Sequence, residues 1–306
     1  MGTVLMRGID VSTHQKKIDW KKVYNAGYRF AFIRVGYRGY TNGSMNEDKY
    51  FKANIEGASK VGMKIGLYFF STAISEKEAI EDARFVLDRI GNYKVELPIV
   101  FDFEGYEEKK YRTYGCTKAQ RTAYCKAFAD TVIKAGYNTM LYGSKGNIRT
   151  TYDCDKLLYP MWIAQYTGGY KKIIDDEKYF PKMGAYIPRV AIWQYTSIGN
   201  VPGISGNVDL NKMYIDVSDS APQTTVPTNP YTMPSGVIKF NKLTQYIAKN
   251  SVRWMQWELV QAGYDLKIDG KFGKKTLAAL KDYQKKHGLV VDGKCGPKTK
   301  NAMLND

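Results

Sequence analysis

Short apolar runs rich in β-branched and aromatic residues alternate with helical patterns through the first two hundred residues of this 306-residue chain, and that alternation restricts the fold more than any other feature. The runs lie at residues 7–11, 30–36, 64–70, 98–103, 139–142, 161–164, 190–194 and 207–210. Helical periodicity is clearest at 19–26, 47–61, 75–90 and 117–135. The helix at Ser75 opens with Ser-Glu-Lys-Glu, a capping-box pattern. Three helices end on a glycine (Gly27, Gly62, Gly136) with a β-run shortly after, as helix C-termini do. Strand–helix–strand repetition implies parallel crossovers and hence an α/β sheet or barrel. Eight strands favour an irregular, TIM-like β/α barrel, irregular because the later strands have few helices between them.

Such barrels carry their active sites at the C-terminal ends of the strands. Acids at strand ends are therefore the first candidates. They are Asp10 in Gly8-Ile9-Asp10-Val11-Ser12, the pair in Leu97-Pro98-Ile99-Val100-Phe101-Asp102-Phe103-Glu104, and Asp209 in Val208-Asp209-Leu210-Asn211. Side chains alternate faces along a strand, so Asp102 and Glu104 share one face, with Phe101 and Phe103 on the other. Two acids on one surface repel each other, and one should hold its proton to higher pH than usual. A proton donor beside a standing negative charge is what glycoside cleavage requires.

Composition narrows the partners. The chain is 44% hydrophobic, enough for a sizeable core, and carries a formal net charge of +16. A basic protein seeks polyanions. The basic residues are scattered, and no helix-turn-helix or zinc-finger spacing supports nucleic acid. The four cysteines, Cys116, Cys125, Cys154 and Cys295, form no C-x-x-C, and the only histidines are His14 and His287. No metal site or cofactor is expected, and the cysteines are expected as free thiols. The N-terminus lacks a signal-peptide apolar stretch, and no run of about 18 apolar residues predicts a membrane span.

Residues 217–236 hold four prolines among small polar residues and read as an extended linker. A second domain at 237–306 contains an internal echo, Asp269-Gly270-Lys271-Phe272-Gly273-Lys274-Lys275-Thr276 against Asp292-Gly293-Lys294-Cys295-Gly296-Pro297-Lys298-Thr299. Each copy looks like a tight turn feeding a helix, in a small three-helix unit. The echoes read as turn architecture rather than ligand contacts.

Seven motifs in order resemble glycoside hydrolase family 25, the muramidases: Arg7-Gly8-Ile9-Asp10-Val11-Ser12, Phe32-Ile33-Arg34-Val35-Gly36, Gly66-Leu67-Tyr68-Phe69-Phe70, the Asp102/Glu104 strand, Trp162-Ile163-Ala164-Gln165-Tyr166, Ile192-Trp193-Gln194-Tyr195-Thr196 and Val208-Asp209-Leu210-Asn211. The resemblance covers roughly residues 5–216, and the C-terminal echo resembles the peptidoglycan-binding domain 1 family. The pairing is similar to a phage endolysin or bacterial autolysin, made in the bacterial cytoplasm and acting on the cell wall. The resemblance implies hydrolysis of the β-1,4 bond between N-acetylmuramic acid and N-acetylglucosamine in peptidoglycan, and the basic charge adds anionic wall polymers as partners. It places the proton donor at Glu104, its partner at Asp102 and the other groove acids at Asp10 and Asp209. The D-x-E spacing also resembles chitinase-type enzymes, in which the substrate's own N-acetyl oxygen attacks with retention; Asp102 would then orient the acetamide. Tyr37, Tyr68, Tyr142, Trp162 and Trp193 sit at or near strand ends and either stack on sugars or join the core. Arg34 either reaches the groove or forms a buried ion pair, and Gln194 is a candidate acetamide contact. His14 reads as a loop residue. A silent wall-binding barrel and a chitinase-like N-acetylhexosaminidase remain the alternatives.

Overall fold

The computed structural model describes residues 3–104, 106–218, 231–246 and 248–304. The chain divides into two compact units, Met1–Gln223 and Thr224–Asp306. Most of the expected linker, residues 219–230, lies outside the described residues; Val217, at its expected start, is buried with the first unit.

In the first unit the order is β1 (Met6–Val11), α1 (Trp20–Asn25), β2 (Phe30–Arg38), β3 (Met45–Glu47), α2 (Phe51–Lys60), β4 (Lys64–Ser71), α3 (Glu76–Ile90), β5 (Ile99–Phe103), α4 (Lys118–Lys134), β6 (Thr139–Ser144), α5 (Ile148–Thr151), β7 (Met161–Ala164), β8 (Val190–Gly199) and β9 (Val208–Met213). The strands pair as β1-β2-β4-β5-β6-β7-β8-β9, and β9 returns to β1, closing an eight-stranded barrel. The unexpected β3 adds antiparallel to β2. Parallel pairing holds from β1 through β8, but β9 runs antiparallel to both neighbours. The connection between β8 and β9 is too short for a helical crossover, so the chain turns back as a hairpin.

Local signals explain two further differences. The helix expected from residue 47 begins at Phe51, because Met45–Glu47 pairs with β2 and the Asp48 carboxylate takes the Tyr50 N–H at 2.9 Å. At α3, Ser75 Oγ accepts the Glu78 N–H at 3.2 Å, but the Glu78 carboxylate takes the Ile74 N–H instead of closing the box. A reciprocal box forms at α4 between Thr117 and Gln120. The glycines after the helices, Gly27, Gly62 and Gly136, all have left-handed φ.

Alternation sorts the barrel strands into two apolar layers. Outward residues such as Ile9, Ile33, Phe101, Phe103, Ile163 and Trp193 pack against the helices. Inward residues, among them Phe30, Phe32, Val100, Met140, Trp162, Ile192 and Met213, fill the barrel floor. Gly66 makes room there: a Cβ would lie 2.4 Å from the Phe32 ring. The inward positions turn polar toward one mouth, from Phe32 to Arg34, Val100 to Asp102, Met140 to Tyr142 and Ile192 to Gln194. On β9 the same polarity runs backwards, Asp209 then Asn211 then Met213, because that strand is inverted.

The second unit contains β10 (Ile238–Lys239), α6 (Lys242–Tyr246), α7 (Asn250–Gln261), α8 (Lys274–Lys286), β11 (Lys294–Cys295) and α9 (Pro297–Leu304). Three main helices carry most of its core, with Val252, Trp254, Met255 and Leu259 from α7, Leu280 and Tyr283 from α8 and Met303 from α9, and Phe272 joins them from the turn before α8; β10 and β11 form a two-residue ribbon. The echoed turns are built alike. Gln256 Oε1 accepts the Gly270 N–H at 2.8 Å, while its Nε2 donates to Asp269 Oδ1, Lys271 O and Thr276 Oγ1 at 3.0, 3.1 and 3.2 Å. Gln284 does the same for the second copy, with Gly293 N–H, Asp292 Oδ1, Lys294 O and Thr299 Oγ1 at 2.9, 3.0, 3.1 and 3.4 Å. No helix among the described residues is long and apolar enough to cross a membrane.

Candidate active site

The polar mouth of the barrel is a cleft of about 360 Å³ lined by residues that include Asp10, Asp102, Glu104 and Asp209. Asp102 and Glu104 reach it from the end of β5, as alternation requires. Asp10 comes from the end of β1. Asp209 arrives from the beginning of β9, not from a strand end as the sequence suggested, because β9 is antiparallel; in register it stands directly opposite Asp10. Directly opposed residues of antiparallel strands share a face with Cβ atoms about 4.5–5.5 Å apart, so the two carboxylates crowd each other.

A hydrogen-bond chain fixes Asp10. Trp162 Nε1, which can only donate, gives its proton to Asn211 Oδ1 at 2.8 Å. That turns the Asn211 amide nitrogen toward Asp10 Oδ2, at 2.7 Å. Gln194 Nε2 donates to the same oxygen at 2.9 Å, and the Gln194 carbonyl accepts from Tyr142 OH at 3.2 Å and Tyr166 OH at 2.7 Å. Tyr166 OH also approaches Asp209 Oδ1 at 3.5 Å. Asp10 is thereby held as an acceptor, whereas Asp102 Oδ1 is buried with no hydrogen-bond partner among the described residues.

The four acids hold protons unusually well. Burial pushes Asp10 up to about 6 against the bonds from Asn211 and Gln194. Burial and then the Asp10 charge push Asp209 up to about 8. Asp102 is raised well above the usual carboxylate range, by burial first and then by Glu104 and Asp10. Glu104 keeps solvent contact at the mouth yet is raised as well, and the cause is burial. The like charge on the shared face of β5 adds to burial at Asp102, where Glu104 is the largest charge that raises it.

The remaining expected residues divide. Tyr68, Tyr142, Trp162, Arg34 and Gln194 line the cleft, as does His14. Trp162 is floor, stacked on Phe32 at 4.5 Å and 2% exposed. Arg34 realises both readings: it lines the cleft while its Nε meets Asp48 Oδ2 at 2.8 Å. Trp193 does not reach the cleft. It is fully buried in the outer layer with Nε1 donating to Gln165 O at 3.0 Å, because adjacent strand residues face opposite ways and Gln194 takes the inward position. Tyr37 is also outside the lining; β2 changes register between Arg34 and Gly36, and the Tyr37 ring lies under the Arg34 guanidinium at 5.5 Å. Sequence reasoning missed Asn211 and Tyr166, both inside quoted motifs, and Asp48, whose carboxylate also accepts the Thr13 N–H. Inward alternation from Asp209 would have found Asn211; nothing local pointed to Asp48.

Among the described residues no cluster of three or more histidine, cysteine or acidic side chains is placed to hold a metal ion. The four cysteines are free thiols.

Comparison with known proteins agrees with this architecture. Residues 248–303 match a putative peptidoglycan binding domain. An autolytic lysozyme of Clostridium acetobutylicum is 27% identical over 297 residues, covering 97% of this chain and 78% of that protein. Lysozyme M1 of Streptomyces globisporus is 27% identical over 218 residues, 68% of this chain and 67% of its own length. The crystal structure of a bacterial lysozyme from Streptomyces coelicolor superposes with a TM-score of 0.56 at 26% identity, covering 69% of this chain and 93% of that one. Residues 9–204 match glycosyl hydrolases family 25, and with that match over the barrel the chain belongs to this family and is a glycoside hydrolase.

Proposed function

We propose that this protein is an N-acetylmuramidase that cleaves the β-1,4 bond between N-acetylmuramic acid and N-acetylglucosamine in bacterial peptidoglycan. The observation that carries the reading is the Asp102/Glu104 pair on one inward face of β5, in a cleft shared with Asp10 and Asp209, within a family whose relatives include lysozymes.

Each acid has a task suited to its surroundings. Glu104, raised by burial and open to solvent at the mouth, donates its proton to the leaving glycosidic oxygen. Asp10, held by two amide N–H donors, is an acceptor that stabilises the positive charge of the oxocarbenium-like transition state, with Asp209 beside it keeping its proton up to about pH 8 so that the two do not repel. Asp102, with an unpartnered buried oxygen, has a free site for the substrate's acetamide N–H. The acetamide oxygen then attacks the anomeric carbon, the leaving oxygen takes the Glu104 proton, and water later opens the ring intermediate with retention. Tyr68, Tyr142 and Arg34 complete the sugar-facing wall. We assign the barrel to 1–216, a linker to 217–236 and a wall-binding unit to 237–306, which keeps the barrel near an insoluble polymer.

The test is a digest of purified Gram-positive peptidoglycan by the wild type and Glu104→Gln, with products reduced by borohydride and identified by mass spectrometry. Disaccharide units ending in reduced muramic acid, lost in the variant, are expected. Reduced glucosamine ends would overturn the bond assignment, faster cutting of chitin oligomers would favour a chitinase-like enzyme, and binding without cleavage would make the barrel a silent one.

A further inference from the structure

The cleft, at about 360 Å³, is near the lower end for ligand sites, so a polymeric glycan has to leave it across the lips. On the Glu104 side that lip is a ladder of rings. Phe70 lines the cleft and stands in register beside Asp102. Tyr40 packs on Phe70 at 5.3 Å, and Tyr111 stacks on Tyr40 at 4.4 Å with 28° between the planes. None of the three belongs to either apolar layer of the barrel, and Tyr40 remains 40% exposed.

The ladder is held from behind. Arg112 donates its backbone N–H to Tyr40 O at 2.9 Å. Its guanidinium grips the Glu78 carboxylate with two bonds of 2.8 and 2.9 Å and touches Thr72 O at 3.3 Å. The loops after β2, β4 and β5 are thus tied at one point by an ion pair whose partners are only 15% and 21% exposed. Exposed aromatics fixed in this way have little freedom left to lose when a ligand arrives. Their faces suit the C–H faces of pyranose rings, and their hydroxyls reach sugar hydroxyls. The Tyr40 hydroxyl is raised by burial, then by Tyr111, Glu104 and Asp102, which agrees with its place beside the catalytic pair.

We propose that the Tyr40–Tyr111 ladder is a sugar subsite that holds an N-acetylhexosamine ring on the leaving-group side of the cut bond and makes the enzyme favour long glycan strands. This rests on the muramidase reading: Glu104 serves the leaving oxygen, so a ring beyond Glu104 belongs to the departing strand.

The experiment measures kcat/KM on peptide-free oligomers of alternating N-acetylglucosamine and N-acetylmuramic acid with four, six and eight sugars. In the wild type the value should rise about tenfold with length, equivalent to about 1.4 kcal/mol. Tyr111→Ala and Tyr111→Leu should flatten that rise and leave the four-sugar value within about twofold, while Tyr111→Phe should retain it. Tyr114→Ala, an exposed tyrosine of the same segment outside the ladder, should behave as the wild type. A length dependence that survives Tyr111→Ala, or an equal loss at every length, overturns the subsite alone. Failure of the wild type to cut any of the oligomers overturns the muramidase reading as well.

Discussion

The buried polar groups of the two units are handled in opposite ways. In the C-terminal unit Gln256 and Gln284 are 1% exposed, and each clamps one D-G-K turn with its carbonyl and amide both engaged. In the barrel Asp102 is buried too, at 8% exposed, yet one of its oxygens has no partner among the described residues and three other carboxylates, Glu104, Asp10 and Asp209, raise its pKa. A satisfied buried network specifies a fold, whereas an unsatisfied carboxylate destabilises one and is retained where chemistry requires it. The glutamines are structure; on the proposed reading the acids are a standing cost of function.

Substitutions break this comparison most directly. Glu104→Gln should lower kcat by about 10²–10⁴-fold, the usual worth of general-acid catalysis, with little change in melting temperature. Asp102→Asn should lower activity while raising the melting temperature at pH 8, since the folded barrel holds this carboxyl well above its value in the unfolded chain and so opposes an ionisation that unfolding permits; a gain of about 2–4 °C per kcal/mol is the scale for a unit of this size. Thermal unfolding beside turnover of soluble oligomers checks both, and an Asp102→Asn protein that is less stable and fully active would reverse the assignment. Gln256→Ala should do the contrary. It leaves the Gly270 N–H buried without its acceptor, costs about 1–3 kcal/mol of C-terminal stability and leaves oligomer hydrolysis unchanged; denaturant titration of the full chain reads the first and a turnover assay the second.

The pH response should differ in sign between the units. Asp10 and Asp209 sit at about 6 and about 8 in the folded barrel against an ordinary value of 3.8. The folded barrel therefore keeps protons that the unfolded chain has released. Their contribution is full below about pH 4 and is lost as pH rises through about 6 and 8. In the turns, burial opposes ionisation of Asp269, but bonds from Gln256 and the Lys271 N–H outweigh it and hold the group below the usual range. The Lys294 N–H and Gln284 do the same for Asp292. Their contribution is present above the ordinary carboxylate range and is lost as acid protonates them. Calorimetry from pH 3 to 9 should show the barrel transition falling with rising pH and flattening in Asp209→Asn. The smallest effect should come from salt. Wall attachment through a chain of charge +16 should weaken severalfold between about 50 and 300 mM salt, because exposed charges are screened over a Debye length of about 10 Å or less. Hydrolysis of the short muramic-acid oligomers, which bring only one lactyl carboxylate per disaccharide to the partly enclosed cleft, should change far less, and pull-down on intact walls beside oligomer turnover separates the two.

Much of this was legible in the chain itself. The eight β-runs, the glycines that close the helices and the shared face of Asp102 and Glu104 follow from periods of 2 and 3.6 that every residue obeys locally. The repeated D-G-K turns were visible for the same reason, although their clamps were not: Gln256 lies thirteen residues before Asp269 and Gln284 eight before Asp292, so no common spacing announces them. Strict alternation even contained the correction to Trp193, since only one of Trp193 and Gln194 can face inward.

What only the tertiary structure decided is which distant groups meet. The hairpin that inverts β9 puts Asp209 opposite Asp10 rather than at a strand end. Closure of the barrel brings Trp162, Asn211, Asp10 and Gln194 into one hydrogen-bond chain, and Asp48 under Arg34. The sequence by itself determined the elements and the faces they present, because those depend on local geometry. The pairing of faces, and with it the desolvation that raises all four acids, depends on where the closed barrel excludes water.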